Sequence, residues 1–97
     1  MGILSGAGDA GYKYTHIATA TTTPIKSGPG LLAAICLNTL ATATLTIYDS
    51  PTASGSVIGI MTLSNADEVN AVKFNVAFAN GLTIVTSGAV DVTILWL

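Results

Sequence analysis

Charged side chains are scarce in this chain: they make up 8% of its 97 residues, whereas a soluble domain of ordinary composition carries about 25%. There is no arginine, and the three lysines, Lys13, Lys26 and Lys73, are widely spaced. Binding to phosphate backbones depends on clustered lysine and arginine, so direct nucleic-acid binding is not expected. A surface with so few charges indicates a protein that is partly covered by other protein subunits.

Cysteine and histidine are nearly absent as well. The single cysteine, Cys36, excludes an intrachain disulfide and a multi-cysteine zinc site, and its apolar neighbours predict a buried, unreactive thiol. The single histidine, His16, belongs to no recognisable catalytic pattern and is interpreted as a packed or interfacial residue. The five acidic residues are dispersed without calcium-loop spacing. No enzyme activity, cofactor or metal site is therefore predicted.

Long apolar runs are also missing, although 51% of the residues are hydrophobic. No run approaches the roughly 20 residues that a membrane-spanning helix needs, so no membrane association is expected. The N-terminus lacks the basic and apolar regions of a secretory signal, and synthesis in the cytoplasm without processing is expected. The G-x-G-x-x-G match at residues 6–11 does not follow a strand and does not open a helix. It is interpreted as part of a flexible glycine-rich arm over residues 1–11.

What the sequence does contain is apolar residues in alternation with polar ones, at the period of two that is typical of half-buried strands. The clearest case places Val72, Phe74, Val76 and Phe78 on one face. Turn signals separate such segments every 8–12 residues or so, and no window predicts a helix. Residues 12–97 are therefore predicted to form one antiparallel β-sandwich of seven to eight short strands. The predicted topology is jelly-roll-like, with immunoglobulin-like connectivity as the alternative.

Local patterns predict particular strands and turns within this sandwich. Residues 12–21 are predicted to form one strand, which Pro24 and the turn after it end. Residues 31–37 are an uninterrupted apolar run, which predicts a strand buried on both faces. The pair Asn80-Gly81 predicts a tight hairpin, because both residues tolerate positive φ.

Two segments carry apolar residues on both faces of a predicted strand. In one, Ile58 and Ile60 lie opposite their apolar neighbours, and the other is the chain end over residues 94–97. A sandwich has one inner face per sheet, so the second apolar face is either exposed or covered by a partner. Three lysines cannot protect the edges of seven or eight strands, so a homo-oligomer is predicted, with a trimer favoured over a dimer.

Two further features carry chemistry. Tyr12, Tyr14, Tyr48 and Trp96 could form an aromatic platform for a sugar, but Trp96 alternates in phase with the apolar residues before it. This phase favours packing in the core or at a subunit interface. Asp91 lies on the polar face of the last strand, where its carboxylate could accept a hydrogen bond or pair with a lysine.

Three blocks stand out by their sequence: residues 21–32 (TTTPIKSGPGLL), residues 45–49 (LTIYD) with the turn at 53–55, and residues 80–93 (NGLTIVTSGAVDVT). In this order, they resemble segments of small all-β proteins that are encoded among the structural genes of tailed bacteriophages. The resemblance implies a virion protein, a capsid decoration or cement protein with a jelly-roll-like fold. Such a protein binds the outside of the major capsid shell and clamps neighbouring subunits. The blocks are scaffold motifs of turns and strands and identify no binding residues.

The resulting expectation is a non-enzymatic, homo-oligomeric decoration protein on the outer capsid surface of the virion, which stabilises the head. Its expected partners are the major capsid protein and further copies of itself. The expected contact residues are apolar or aromatic and lie near the two ends of the chain: Ile3, Leu4, Tyr12, Tyr14, Trp96 and Leu97. Two alternatives stay open, namely a head-fibre, neck or tail accessory of the virion, and a carbohydrate-binding β-sandwich for host attachment.

Overall fold

The computed structural model describes residues 11–39, 41–64 and 71–97, in which it has eight strands and no helix. In chain order the strands are β1 Lys13–Ile17, β2 Thr21–Ser27, β3 Gly30–Thr39, β4 Ala43–Asp49, β5 Ser56–Leu63, β6 Ala71–Phe78, β7 Gly81–Thr86 and β8 Asp91–Trp96. The prediction of an all-β sandwich of seven to eight short strands is confirmed.

The strands form two four-stranded antiparallel sheets. Sheet I has the order β1-β8-β3-β6, and sheet II has the order β2-β7-β4-β5. The pairs β1–β8, β2–β7, β3–β6 and β4–β5 are nested inside one another along the chain, as in one long hairpin folded over on itself. Eight strands nested in this way in two sheets form a jelly roll. The immunoglobulin-like alternative is excluded, because its sheets combine the strands in a different order.

The hydrophobic core lies between the two sheets and is built from the alternating inward residues of the strands. Its large, fully buried apolar side chains are Leu32, Ile35, Leu45, Ile47, Phe78, Leu82, Ile84, Val90, Val92 and Ile94. Each such side chain contributes about 1.5–3 kcal/mol through its removal from water. The predicted apolar face of residues 72–78 is confirmed, since Val72 and Phe74 pack against this core and Phe78 is buried in it.

The first predicted strand is in fact two strands in different sheets. The chain leaves sheet I after Ile17 and enters sheet II at Thr21. Pro24 does not end a strand but lies inside β2. Because β2 is an edge strand, a residue without an N–H group is tolerated there, and a register shift between Pro24 and Lys26 accommodates it.

The prediction that residues 31–37 are buried on both faces is also wrong. Leu32 and Ala33 are both buried because the β3 register shifts between Leu32 and Ala34. Beyond the shift, inward Ile35 alternates with Ala34 and Cys36, which are half-buried on the outer side of sheet I. A strand of a two-layer sandwich has one inner face, and here the outer positions carry small residues. The prediction of a buried Cys36 is corrected with it.

The Asn80-Gly81 pair does not form the predicted hairpin. It connects β6 in sheet I to β7 in sheet II, and neither residue has a positive φ. Gly81 is required for close approach instead, since a Cβ there would lie 2.6 Å from the backbone nitrogen of Pro51. The same composition that favours tight hairpins therefore serves here as a crossing between sheets.

Asp49, at the end of β4, fixes this crossing. Its carboxylate accepts hydrogen bonds from the backbone N–H groups of Asn80 at 2.8 Å and Ala79 at 3.0 Å. These bonds, with that of Asn80 the strongest, hold the pKa of Asp49 below its usual range. One side chain of sheet II thus anchors the segment through which the chain leaves sheet I.

Candidate functional site

The outer surface of sheet II is free of charge over its four strands, apart from Lys26 and Asp49 near strand ends. One row of side chains crosses the whole sheet: Thr22 lies opposite Val85, Val85 opposite Thr46, and Thr46 opposite Ile60. We call this surface the threonine face. Its half-buried or exposed members are Thr22, Thr44, Thr46, Tyr48, Val57, Ile60, Thr62 and Val85.

Strand β5 contributes the most exposed apolar groups of the threonine face. Ile60 is 62% exposed and Val57 is 46% exposed. The sequence pattern places Ile58 and Ile60 on one face of the strand and Val57, Gly59 and Met61 on the other. The β4–β5 register shifts between Ile47 and Tyr48, however, so that Val57 is the exposed residue and Ile58 packs against the core. A bulge of this kind exchanges the faces of the residues on either side of it.

The outer surface of sheet I has a different chemical character. His16 Nε2 lies 2.5 Å from Asp91 Oδ1, and Asn38 Nδ2 donates to Asp91 Oδ1 and to Thr93 Oγ1, at 3.0 Å each. The hydrogen bond from Asn38, and then that from His16, lowers the pKa of Asp91. We call the surface that carries this network, together with Tyr14 and Lys73, the polar face.

A shallow depression of about 440 Å³ lies on the polar face. Its lining residues are Tyr12, Ala33, Ala34, Cys36, Ala71, Lys73, Asn75 and Leu95. Asn75 lies in the left-handed region, with φ of 52°, where β6 and β3 shift their register. Asparagine tolerates this conformation better than most residues. The small side chains of β3 and the irregular β6 backbone together leave this surface concave.

The described residues include few side chains that could act as a nucleophile or bind a metal ion. The thiol of Cys36 lines the depression, whereas His16 pairs with Asp91 across the neighbouring strands. No group of three or more His, Cys, Asp or Glu side chains that could hold a metal ion occurs in residues 11–39, 41–64 and 71–97. The polar network orders the outer surface of sheet I through hydrogen bonds that join β1, β3 and β8.

The predicted contact residues lie in different environments. Ile3 and Leu4, and the rest of the predicted arm before Gly11, lie outside the described residues. Tyr12 and Tyr14 are 51% and 72% exposed on the sheet I side.

At the other end of the chain, Trp96 packs against the core, and its Nε1–H donates to Thr15 Oγ1 at 3.0 Å. Lys13 Nζ lies 5.4 Å from the centre of the Trp96 ring. Leu97 is 43% exposed, while its backbone pairs with that of Leu31. The four aromatic residues considered as a sugar platform are therefore not gathered on one surface, since Tyr48 belongs to the threonine face.

Sequence reasoning missed the threonine face as a site. Its members come from four strands that are far apart in the chain, and the row through Thr46 depends on registers that no local pattern reveals. One signal was available: strands β2, β4, β5 and β7 are rich in threonine and aliphatic residues and carry hardly any charge. The sheet membership needed to combine these strands comes only from the fold.

No protein-family model matches the chain, and no curated protein matches it in sequence. The resemblance to phage decoration proteins therefore stays a prediction. In the part of the chain that the structure describes, no helix has the length and apolarity to cross a membrane.

Proposed function

We propose that this chain is a non-enzymatic structural subunit, a decoration protein that binds the outer capsid surface of a tailed-bacteriophage virion and stabilises the head. The threonine face is its contact surface for the major capsid protein, and the chain acts as a homo-oligomer. The observation that carries the proposal is the uncharged row of Thr22, Val85, Thr46 and Ile60 across all of sheet II.

The chemistry of the threonine face suits a protein partner. The centres of protein interfaces are depleted in charged residues, because an ion that is buried without a partner costs several kcal/mol. None of the eight members of the threonine face is ionised, so docking on this face buries no charge from them. Threonine hydroxyl groups can still donate and accept hydrogen bonds to a partner backbone.

The rigidity of the face also favours a structural role. Half of its eight residues lie on β4 and β7, the central strands of sheet II, each of which is paired on both sides. Threonine, valine and isoleucine are stiff at χ1, so little side-chain entropy is lost on binding. The jelly-roll fold is found in viral capsid and lectin domains, which is support by analogy of fold alone.

The experiment compares one substitution on the two outer faces. Purified wild-type chain is added to heads of the encoding phage that were assembled without it, and binding is measured by co-sedimentation. Thr46→Lys places a charge at the centre of the threonine face and is expected to weaken binding roughly 30-fold or more. The matched control, Thr93→Lys, makes the same change on central strand β8 of sheet I and is expected to bind as wild type.

Two results would contradict the proposal. One is a wild-type chain that does not associate with such heads or leaves their resistance to heat and osmotic shock unchanged. The other is equal binding by the two lysine variants. Imaging of labelled particles separates decoration, with copies over the whole shell, from a head-fibre, neck or tail position, with a local ring or spike.

A second candidate function rests on the tyrosines of sheet I. Tyr12 and Tyr14 are exposed on the side where the depression is lined by Tyr12, Lys73 and Asn75. Exposed aromatic rings beside hydrogen-bonding side chains are an arrangement that binds sugar rings through their apolar faces. We therefore keep glycan binding on the polar face as the alternative.

Glycan binding is tested on an array of host-surface glycans with wild type, Tyr14→Ala and Tyr48→Ala. If the polar face binds a glycan, Tyr14→Ala loses the signal, while Tyr48→Ala, on the threonine face, keeps it. Absence of any signal from the wild-type chain removes this candidate and leaves the decoration proposal in place.

A further inference from the structure

The three lysines of the chain occupy three of the four edge strands. Sheet I ends at β1 and β6, which carry Lys13 and Lys73, and sheet II ends at β2 and β5. Strand β2 carries both Lys26 and Pro24. Lysine and proline on an edge strand are the devices by which proteins prevent edge-to-edge pairing. Three edges are therefore protected.

Strand β5 is the unprotected edge. Its eight residues, Ser56–Leu63, include no charged residue and no proline. Within the described sheets β5 is hydrogen-bonded to β4 alone, so its other side presents backbone N–H and C=O groups without a strand partner. It also carries Val57 and Ile60, two of the most exposed large apolar side chains in the described residues.

We infer that β5 pairs antiparallel with β5 of a second copy of this chain, around a two-fold axis. Such pairing joins the two copies of sheet II into one eight-stranded sheet and makes the two threonine faces continuous. The inference deepens the proposed function, on which it rests only for the view that the chain acts as a homo-oligomer. It replaces the expected trimer by a dimer, since an edge that pairs with itself closes after two copies.

The charge pattern selects the second copy as the occupant. When β5 pairs with itself, neutral side chains meet neutral side chains along its length. Self-pairing of β1, β2 or β6 would bring two lysines of like charge close to each other, which is destabilising. Pairing of β5 with a different edge would be heterologous, would close into a ring or extend into a filament, and would place a lysine-bearing strand beside β5.

The side chains of β5 also fit one register. Directly opposite residues of an antiparallel pair point to the same face. Two identical strands related by a two-fold axis can therefore pair only if the axis passes between two copies of one residue, and we place it between Ile60 and the partner's Ile60. This register places Gly59 opposite the partner's Met61 on the inner face. The fold itself does not require glycine there: its φ is not in the positive region, and an added Cβ would meet Phe74 only at 3.8 Å. In this register, the missing side chain at Gly59 leaves space for the partner's Met61.

The test is the mass of the purified full chain in solution, measured by sedimentation equilibrium over a wide concentration range. Wild type is expected to approach twice 9.8 kDa as concentration rises. Ile60→Lys, which gives β5 the device that the other edges have, is expected to raise the dimer dissociation constant roughly 30-fold or more. The matched control is Ala77→Lys on edge strand β6, where the wild-type residue is exposed, and it is expected to dimerise as wild type.

Hydrogen exchange supplies a second measurement that does not depend on the variants. The β5 amides that point away from β4 are expected to exchange more slowly as the wild-type concentration rises, whereas exchange of the β1 amides is expected to stay unchanged. A wild-type chain that stays at 9.8 kDa throughout, or an Ile60→Lys variant of native circular dichroism that still dimerises, overturns the inference. Head binding is read separately. Dimerisation without head binding keeps this inference and removes the proposed capsid binding, whereas head binding by a monomer keeps capsid binding and removes both this inference and the proposed homo-oligomer.

Discussion

The two outer faces of this sandwich share one architecture and differ in chemistry. On sheet I, His16, Asp91 and Asn38 form a hydrogen-bonded network of exposed and half-buried side chains. On sheet II, the corresponding central position is Thr46, between Val85 and Ile60. Both sheets place their large apolar residues on the inner side, so the core does not depend on which residues lie on the outer faces.

The contrast shows that a low average charge is unevenly distributed. Within residues 11–39, 41–64 and 71–97, the ionised groups serve particular tasks: Asp91 orders the polar face, Asp49 anchors the crossing between sheets, and the lysines lie on edge strands. Among these residues, the threonine face and the β5 edge carry the least charge, and they adjoin each other along β5. The uncharged surface, which would favour aggregation if it covered the whole protein, is thereby confined to one region.

The largest effect is expected where a threonine of sheet II is buried instead of lying on the threonine face. Thr86 is 3% exposed; its hydroxyl donates to the carbonyl of Thr19 at 2.7 Å and accepts from the N–H of Thr21 at 3.1 Å. Thr86→Val leaves both backbone groups without this partner and is expected to lower the free energy of unfolding by about 1–3 kcal/mol. Thr46→Val is expected to change it by less than about 0.5 kcal/mol. Urea denaturation measures both, and equal losses would show that the two kinds of threonine do not differ.

A smaller effect, in labelling rate, sharpens the contrast between the faces in the assembled particle. In a Cys36→Ala background, Thr46→Cys reports on the threonine face and Thr93→Cys on the polar face. On heads carrying the chain, maleimide labelling at position 46 is expected to be roughly tenfold slower than in the free chain, a difference of about 1.4 kcal/mol in accessibility. Position 93 is expected to label at its free rate. Protection at position 93 alone would show that the polar face contacts the head, which contradicts the proposal.

The smallest effects concern the two carboxylates with lowered pKa values, one from each sheet. A carboxylate whose pKa is lower in the folded state stabilises the fold above its unfolded pKa of about 3.9, and this stabilisation is lost as pH falls through the folded pKa. At pH 7, Asp49→Asn is therefore expected to lower Tm by a few degrees, and Asp91→Asn by less, because Asp49 holds the crossing between the sheets.

Thermal scans from pH 7 to pH 2 check this prediction. The gap in Tm between wild type and each variant is expected to be constant near neutral pH and to narrow as pH falls below about 4, because the wild-type carboxylate then becomes protonated. A gap that widens on acidification would contradict the assigned direction of the pKa shifts.

The strands and the fold class could be predicted from the sequence, because the period of two is a local property. The face of residues 72–78 is an example, since Phe78 is buried as its phase requires. The crossings could not be predicted: Asn80-Gly81 has the composition of a tight turn, and only the partners of β6 and β7 reveal that it joins different sheets. The bulge that exposes Val57 in place of Ile58 is equally invisible, because it arises between paired strands.

The candidate sites were less predictable than the fold for the same reason. Tyr12 and Tyr14 are predicted from the sequence as contact residues, and the structure shows that both side chains are exposed. The threonine face was not predicted, since each of its strands reads as an ordinary half-buried strand until all four are placed side by side. The protected edges were likewise hidden, since a scattered lysine acquires its meaning only from the strand order.

The nested strand order has a consequence for how the chain reaches this structure. The β4–β5 hairpin closes over the few residues between Asp49 and Ser56, whereas β3–β6, β2–β7 and β1–β8 each enclose a longer stretch. Each further pair meets a larger loop-closure entropy, so the strands are expected to zip outward from the Thr52–Gly55 tip, and β1 and β8 to join last. Folding is then slow for a chain of this size, on the millisecond to second scale of β-sandwiches. During that interval, the apolar β5 edge is already formed and exposed, before the two sheets have packed into the sandwich.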